Sequence, residues 1–169
     1  MASIAVLAIA FNWWKTAEGA FNTLLASPAA RLLGLAAFAY VASGVLDFFM
    51  AFQNIASWTR FTWIHQGLDW LLVGGAVIAG LFAIIPEIIS RSTGQSLSPG
   101  LIRLHATLTL TGILLIALPL LVGGGIQGSR LADPSLAFMD ALRASMHLVR
   151  LSSLGLVVFL LAQLVFAFA

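Results

Sequence analysis

The 169-residue chain has no cysteine, one tyrosine and very little charge, with Asp, Glu, Lys and Arg making up 8% of its residues. Without cysteine there is no disulfide, thiolate nucleophile, iron–sulfur ligand or covalent c-type haem attachment. A soluble domain carries about a quarter charged residues, so this chain cannot cover a water-facing surface. That scarcity excludes a cytosolic enzyme, a nucleic-acid module and a disordered segment. The formal net charge of +2 comes from scattered Lys and Arg set against few acids, with no basic patch for nucleic acid. HExxH, P-loop, metal-spaced clusters and a recognisable Ser/His/Asp arrangement are also missing, and no catalytic residue is assigned. What is abundant is apolar: 61% of residues are hydrophobic and the mean hydropathy is +1.06. The solvent this composition fits is a lipid bilayer.

A helix rises about 1.5 Å per residue and must cross roughly 30 Å of hydrocarbon. Four stretches are long enough: about Ala29 to Phe52, Thr62 to Ile89, Leu104 to Ile126 and His147 to Ala169. An earlier stretch, Ala2 to Trp14, covers only about 20 Å as a helix. No basic residue precedes it and no small-residue cleavage site follows, so it reads as a retained membrane helix with Trp13 and Trp14 at an interface. Gly, Pro and Ser punctuate the loops around Ser27-Pro28, Ser90 to Gly100 and Gly128 to Pro134. The expectation is an all-α integral membrane bundle of four to five transmembrane helices, forming one domain over residues 1–169. Arg60, Arg130, Arg143 and Arg150 fall toward the side holding the N-terminus (side A), and Lys15, Arg31, Arg91 and Arg103 toward the other (side B). Arg150 lies within the membrane, and discounting it tilts side B toward the cytoplasm.

Ionisable residues inside a membrane are costly and are therefore functional candidates. Asp47 lies about two turns before the second stretch emerges on side A. His65 and Asp69 lie one and two turns into the third from that side, and His147 and Arg150 in the first turns of the fifth. Their expected depths agree. His65 and Asp69 are four residues apart and His147 and Arg150 three, so each pair shares a helix face. Two readings follow. In one, His65 and His147 are axial ligands of a b-type haem, Asp69 orients an imidazole and Arg150 pairs a propionate. In the other, Asp47, Asp69 and Arg150 neutralise each other as a buried ion cluster, with the histidines as hydrogen-bonding glue. Asp47 and Asp69 as a proton relay rank below the haem reading. His105, near Arg103, is expected at the opposite surface as an interfacial or capping residue. Thr107, Thr109 and Thr111 are expected to bond their own backbone. Gly123-Gly124-Gly125 is expected to be a close-packed or loosened helix end.

The chain also resembles the C-terminal part of the catalytic subunit of cbb-type cytochrome c oxidases, a branch of the haem-copper superfamily related to bacterial nitric oxide reductases. The residues that carry the resemblance begin with Phe11 to Thr16, Ser27-Pro28-Ala29 and Tyr40 to Met50. They continue through Thr62 to Gly67, Ile85-Pro86, His105 to Gly112 and Gly124 to Gly128. Phe138, Met146-His147 and Arg150 complete them. The resemblance implies that His65 matches a low-spin haem ligand, while the neighbouring ligand of the high-spin haem is lost. The family site needs three copper-ligating histidines, a proximal haem histidine and two low-spin ligands, more than the three histidines of this chain. A truncated, degenerate relative with no oxygen or nitric oxide reduction of its own is therefore implied. The resulting expectation is an accessory membrane subunit of a bacterial respiratory or photosynthetic electron-transfer complex in the cytoplasmic membrane. It would hold one haem b through His65, with His147 or a partner's histidine opposite. Electrons would pass from a quinol or haem donor to a neighbouring centre, among other membrane subunits and lipid. The alternative is a cofactor-free structural or assembly subunit packing against partner chains. Family topology would make side A periplasmic.

Overall fold

The computed structural model describes residues 2–20, 22, 27–94 and 97–169, and its regular structure is helical throughout. The helices are α1 (Ala2–Ala17), α2 (Pro28–Met50), α3 (Gln53–Thr59), α4 (Trp63–Thr93), α5 (Pro99–Leu131) and α6 (Phe138–Ala167). Four of them, α2, α4, α5 and α6, are long and apolar enough to cross a membrane, whereas α1 is a shorter apolar helix. Local chemistry sets the ends. Ser27 caps α2 by accepting the Ala30 N–H at 3.0 Å, with Pro28 preset for the first turn. Gly94 closes α4 at φ 68°, a left-handed conformation glycine adopts without a Cβ clash. Gln95 and Ser96, in the middle of the expected 90–100 loop, lie outside the described residues.

Two boundaries differ from the hydropathy reading. α6 begins at Phe138, nine residues before the expected start, and α5 runs from Pro99 to Leu131. Apolar length detects only the part of a helix that lies in hydrocarbon. The first two turns of α6 carry the exposed pair Arg143–Asp140 at 3.5 Å and belong outside it. His147 and Arg150 therefore sit in the third and fourth turns of their helix, not the first. The short helix α3, with exposed Arg60 and Phe61 just beyond it, lies between two spans where no element was expected.

α5 is the most buried span, and Ile113, Ile116, Ala117 and Leu120 form the centre of the core. Helices α5 and α6 run antiparallel in close contact along their lengths. A Cβ on Gly112 would lie 2.8 Å from the Phe159 backbone, and one on Gly155 2.7 Å from the Leu115 carbonyl carbon. Without the hydrophobic effect to drive helices together, such backbone approach supplies the dispersion contact. The hairpin closes at its end where the Ser98 N–H donates to the Ala169 carbonyl at 3.1 Å. α4 packs on α5 and α2, and α1 packs on α2 through Val6 and Gly44. The order across the bundle is an arc, with α1 and α2 at one edge and α6 at the other.

α4 is not a uniform helix. Trp70–Ile78 is wound as a π-helix between α-helical flanks, and the Ala79 N–H reaches back five residues to the Gly74 carbonyl. Wide turns of this kind are frequent at functional positions. Here the segment brings Gly75 against Ala39 of α2, where a Cβ would meet the alanine methyl at 2.6 Å.

Candidate functional site

The site is built at the side-A ends of α4 and α5. Thr62 caps α4, its hydroxyl accepting the Ile64 N–H at 3.4 Å, and the Gln127 side-chain carbonyl accepts the Trp63 N–H at 3.2 Å. A buried glutamine thus covers a helix end that water would otherwise have to satisfy. Gly124 presses directly on the Ile64 backbone, and Gly128 on Trp58, so no larger residue fits at either place. Gly123 and Gly124 are closely packed, the first of the two forms expected of the run, whereas Gly125 has open space around it.

One residue earlier on α5, Gly123 meets Ser145 and Leu148 of α6. Ile64 and Leu148 therefore lie at the same level of α5, and the expected common depth of the two histidine-bearing segments holds. Their directions do not agree. On α6, Ser145, Leu148 and Phe159 face α5; His147, one residue or about 100° from Leu148, and Arg150, two residues or about 200° from it, are exposed. On α4, Trp70 stacks edge-on against Phe159 of α6 at 5.8 Å. The preceding residue, Asp69, opens instead into a groove shared with α2, and His65, one turn before it, is exposed on that same side. The two imidazoles point to different sides of the bundle.

The groove holds about 270 Å³ between α1, α2 and α4. Asp47 and Asp69 line it, with Tyr40, Ser43, Gly44 and Leu72 beside them. Ser43 is buried, and its hydroxyl donates to the Tyr40 carbonyl at 2.9 Å. The expected ion cluster is not formed. Among the described residues the salt bridges are Lys15–Glu18, Arg91–Glu87 and Arg143–Asp140, each between residues three or four apart and exposed. Asp47, Asp69 and Arg150 are all turned outward.

His105, expected at the surface, is fully buried. Its Nδ1 pairs with the Ala162 carbonyl of α6 at 2.8 Å, and its ring lies 4.7 Å from Phe82 and 5.0 Å from Phe166. The reason is helical phase: His105, Thr109, Gly112 and Ile116 form one stripe facing α6. That stripe was visible in the sequence, but proximity to Arg103 obscured it. Thr107 bonds the Arg103 carbonyl as expected, whereas Thr109 is buried with its hydroxyl unpartnered, as are His105 Nε2 and Gln163 Oε1.

The profile of the family described as Cytochrome C and Quinol oxidase polypeptide I matches residues 1–158. The chain belongs to that family. No curated protein matches it. The family binds haems, so the residues must be tested against one. Among the described residues no three His, Cys, Asp or Glu side chains converge to hold a metal. His65 and His147 diverge, and His105 is held by Ala162 between two phenylalanine rings. A haem with both axial imidazoles from this one chain does not fit.

Proposed function

We propose that this oxidase-family protein is an accessory membrane subunit of a bacterial respiratory or photosynthetic electron-transfer complex, with no bond-breaking chemistry of its own. The carrying observation is the outward display of Asp47, His65, Asp69, His147 and Arg150 on membrane-spanning helices. Charged groups at this depth are tolerated when they face protein or a water-filled cavity. Those faces are therefore surfaces for partner membrane chains, with lipid on the apolar remainder. The cbb-type resemblance supports the electron-transfer setting and a periplasmic side A. Extraction from native membranes in mild detergent, followed by native mass measurement, tests the reading. The chain should migrate with other membrane chains; migration as a folded monomer from every mild detergent would overturn it.

A second reading is favoured by the free outward face of His65, one turn from Asp69. In it, a haem b sits at the boundary with another chain, which supplies the second imidazole. Asp69 would orient the His65 ring, and a haem held there would supply one-electron chemistry between a quinol or haem donor and the next centre. A reduced-minus-oxidised spectrum of the intact complex should show b-type bands that His65→Ala removes and His105→Leu keeps. Retention of the bands in the His65 variant would assign the haem elsewhere and leave the cofactor-free packing subunit.

A further inference from the structure

We infer that the chain associates with copies of itself side by side in the membrane, the outward face of α6 in one copy docking on the acidic groove of the next. The inference rests on the reading that the outward polar faces are covered by protein, and it names the partner at two of them. Three observations carry it. The faces have opposite charge: Asp47 and Asp69 line the groove, and Arg150 with His147 projects from α6. They lie at the two edges of the helical arc, α1 and α2 at one and α6 at the other. And their depths match. Ile64 and Leu148 pack on adjacent residues of α5, within about 1.5 Å of one level. Asp69 lies five residues beyond Ile64 and Arg150 two beyond Leu148, about 7.5 and 3 Å further from side A. The difference is shorter than an extended arginine side chain.

Copies inserted in one orientation are related by rotation about the membrane normal, which preserves depth. A residue pair matched in depth on opposite edges of one chain is therefore matched between neighbours. Such a contact is heterologous, and it closes into a ring or continues as a row according to the rotation. The same docking carries His147 of one copy to the layer of His65 of the next.

The chain has no cysteine, so introduced cysteines report without background. Leu72 on the groove lip and Leu154, one turn beyond Arg150, are both exposed. Two differently tagged copies, one carrying Leu72→Cys and the other Leu154→Cys, are co-expressed and oxidised in native membranes. A mixed disulfide should form about tenfold more than with Val122→Cys, which is exposed on another face, in place of Leu154→Cys. Asp47→Asn with Asp69→Asn should lower the yield about tenfold. Exchanging the charges, Asp69→Arg with Arg150→Asp in every copy, should restore most of it. Thermal unfolding in detergent verifies that each variant is folded. A disulfide from Leu154→Cys, probed with a cysteine in a different membrane chain, would overturn self-docking while leaving those faces protein-covered. Neither position cross-linking to protein, with both quenched by a lipid-borne probe, would overturn the covering and the self-docking together.

Discussion

The α5–α6 hairpin and the outer faces of α2, α4 and α6 treat polar groups in opposite ways. Inside the hairpin the polar side chains are few and uncharged, and they sit where glycines let two backbones meet: His105 on Ala162, Ser145 and Ser152 on their own turns. On the outer faces Asp47, His65, Asp69, His147 and Arg150 are ionisable and exposed, and among the described residues none of the five is in a salt bridge. The hairpin encloses its polar groups, three of them (His105 Nε2, Thr109 Oγ1 and Gln163 Oε1) without a hydrogen-bond partner, whereas the outer faces leave theirs exposed. In hydrocarbon the two cases differ sharply, because an unpaired charge has no water to fall back on. The position of a polar group, inside or outside its own bundle, thus separates residues packed into the fold from residues displayed on its surface.

The severest way to break this contrast is to part the hairpin. Gly112→Leu places a branched side chain where even a Cβ would be 2.8 Å from the Phe159 backbone. The isolated chain should lose about 3 kcal/mol in detergent unfolding, or fail to fold. A comparable insertion at Gly34, which has open space around it, should be close to neutral. Equal losses at both positions would mean that the hairpin contact is not what holds the structure.

Next in size is the contrast between histidines. His105→Ala removes the bond to Ala162 and empties the space between Phe82 and Phe166, at a cost of about 2 kcal/mol. His147→Ala, on the outer face, should change unfolding of the isolated chain by less than about 0.5 kcal/mol. Asp69→Leu should behave similarly in the isolated chain, or even stabilise it, while weakening assembly in membranes. A large loss from Asp69→Leu without partners present would place that carboxylate in the fold rather than at an interface.

Much of this was legible beforehand. Apolar length located the four spans, and i,i+4 and i,i+3 spacing identified the correct face-sharing pairs. The common depth of His65 and His147 followed from counting residues. Which way each pair faced did not, because rotation about a helix axis is set by which small residues admit a neighbour. Gly123 and Gly124 decide it here, one turned to α6 and the other to α4. The π-wound stretch was equally hidden, since Trp70–Ile78 is an apolar run like any other. Nearness to Arg103 points His105 toward the surface, but its place in the stripe with Thr109 and Gly112 buries it.

The smallest effect belongs to a loop carboxylate, Asp133. Between α5 and α6 the Ser135 hydroxyl and backbone N–H both donate to Asp133 Oδ1, at 2.7 and 2.9 Å. The hydroxyl, with the amide second, holds this carboxyl below its ordinary range by favouring the ionised form. A depressed carboxyl pKa favours the folded turn above the ordinary value, and the contribution disappears as pH falls through the lowered one. Ser135→Ala removes the larger donor and keeps the amide, so the Asp133 titration followed by carboxyl ¹³C shifts in micelles should move upward. The side chain is fully exposed and takes no part in the hairpin packing or the groove, so overall unfolding and membrane cross-linking should not change. An unmoved titration would show that the serine hydroxyl does not hold the turn in membrane-mimetic solution. A change in cross-linking would show that the loop reaches the partner surface, and the division between fold-holding and partner-facing residues would then have to extend beyond the bilayer.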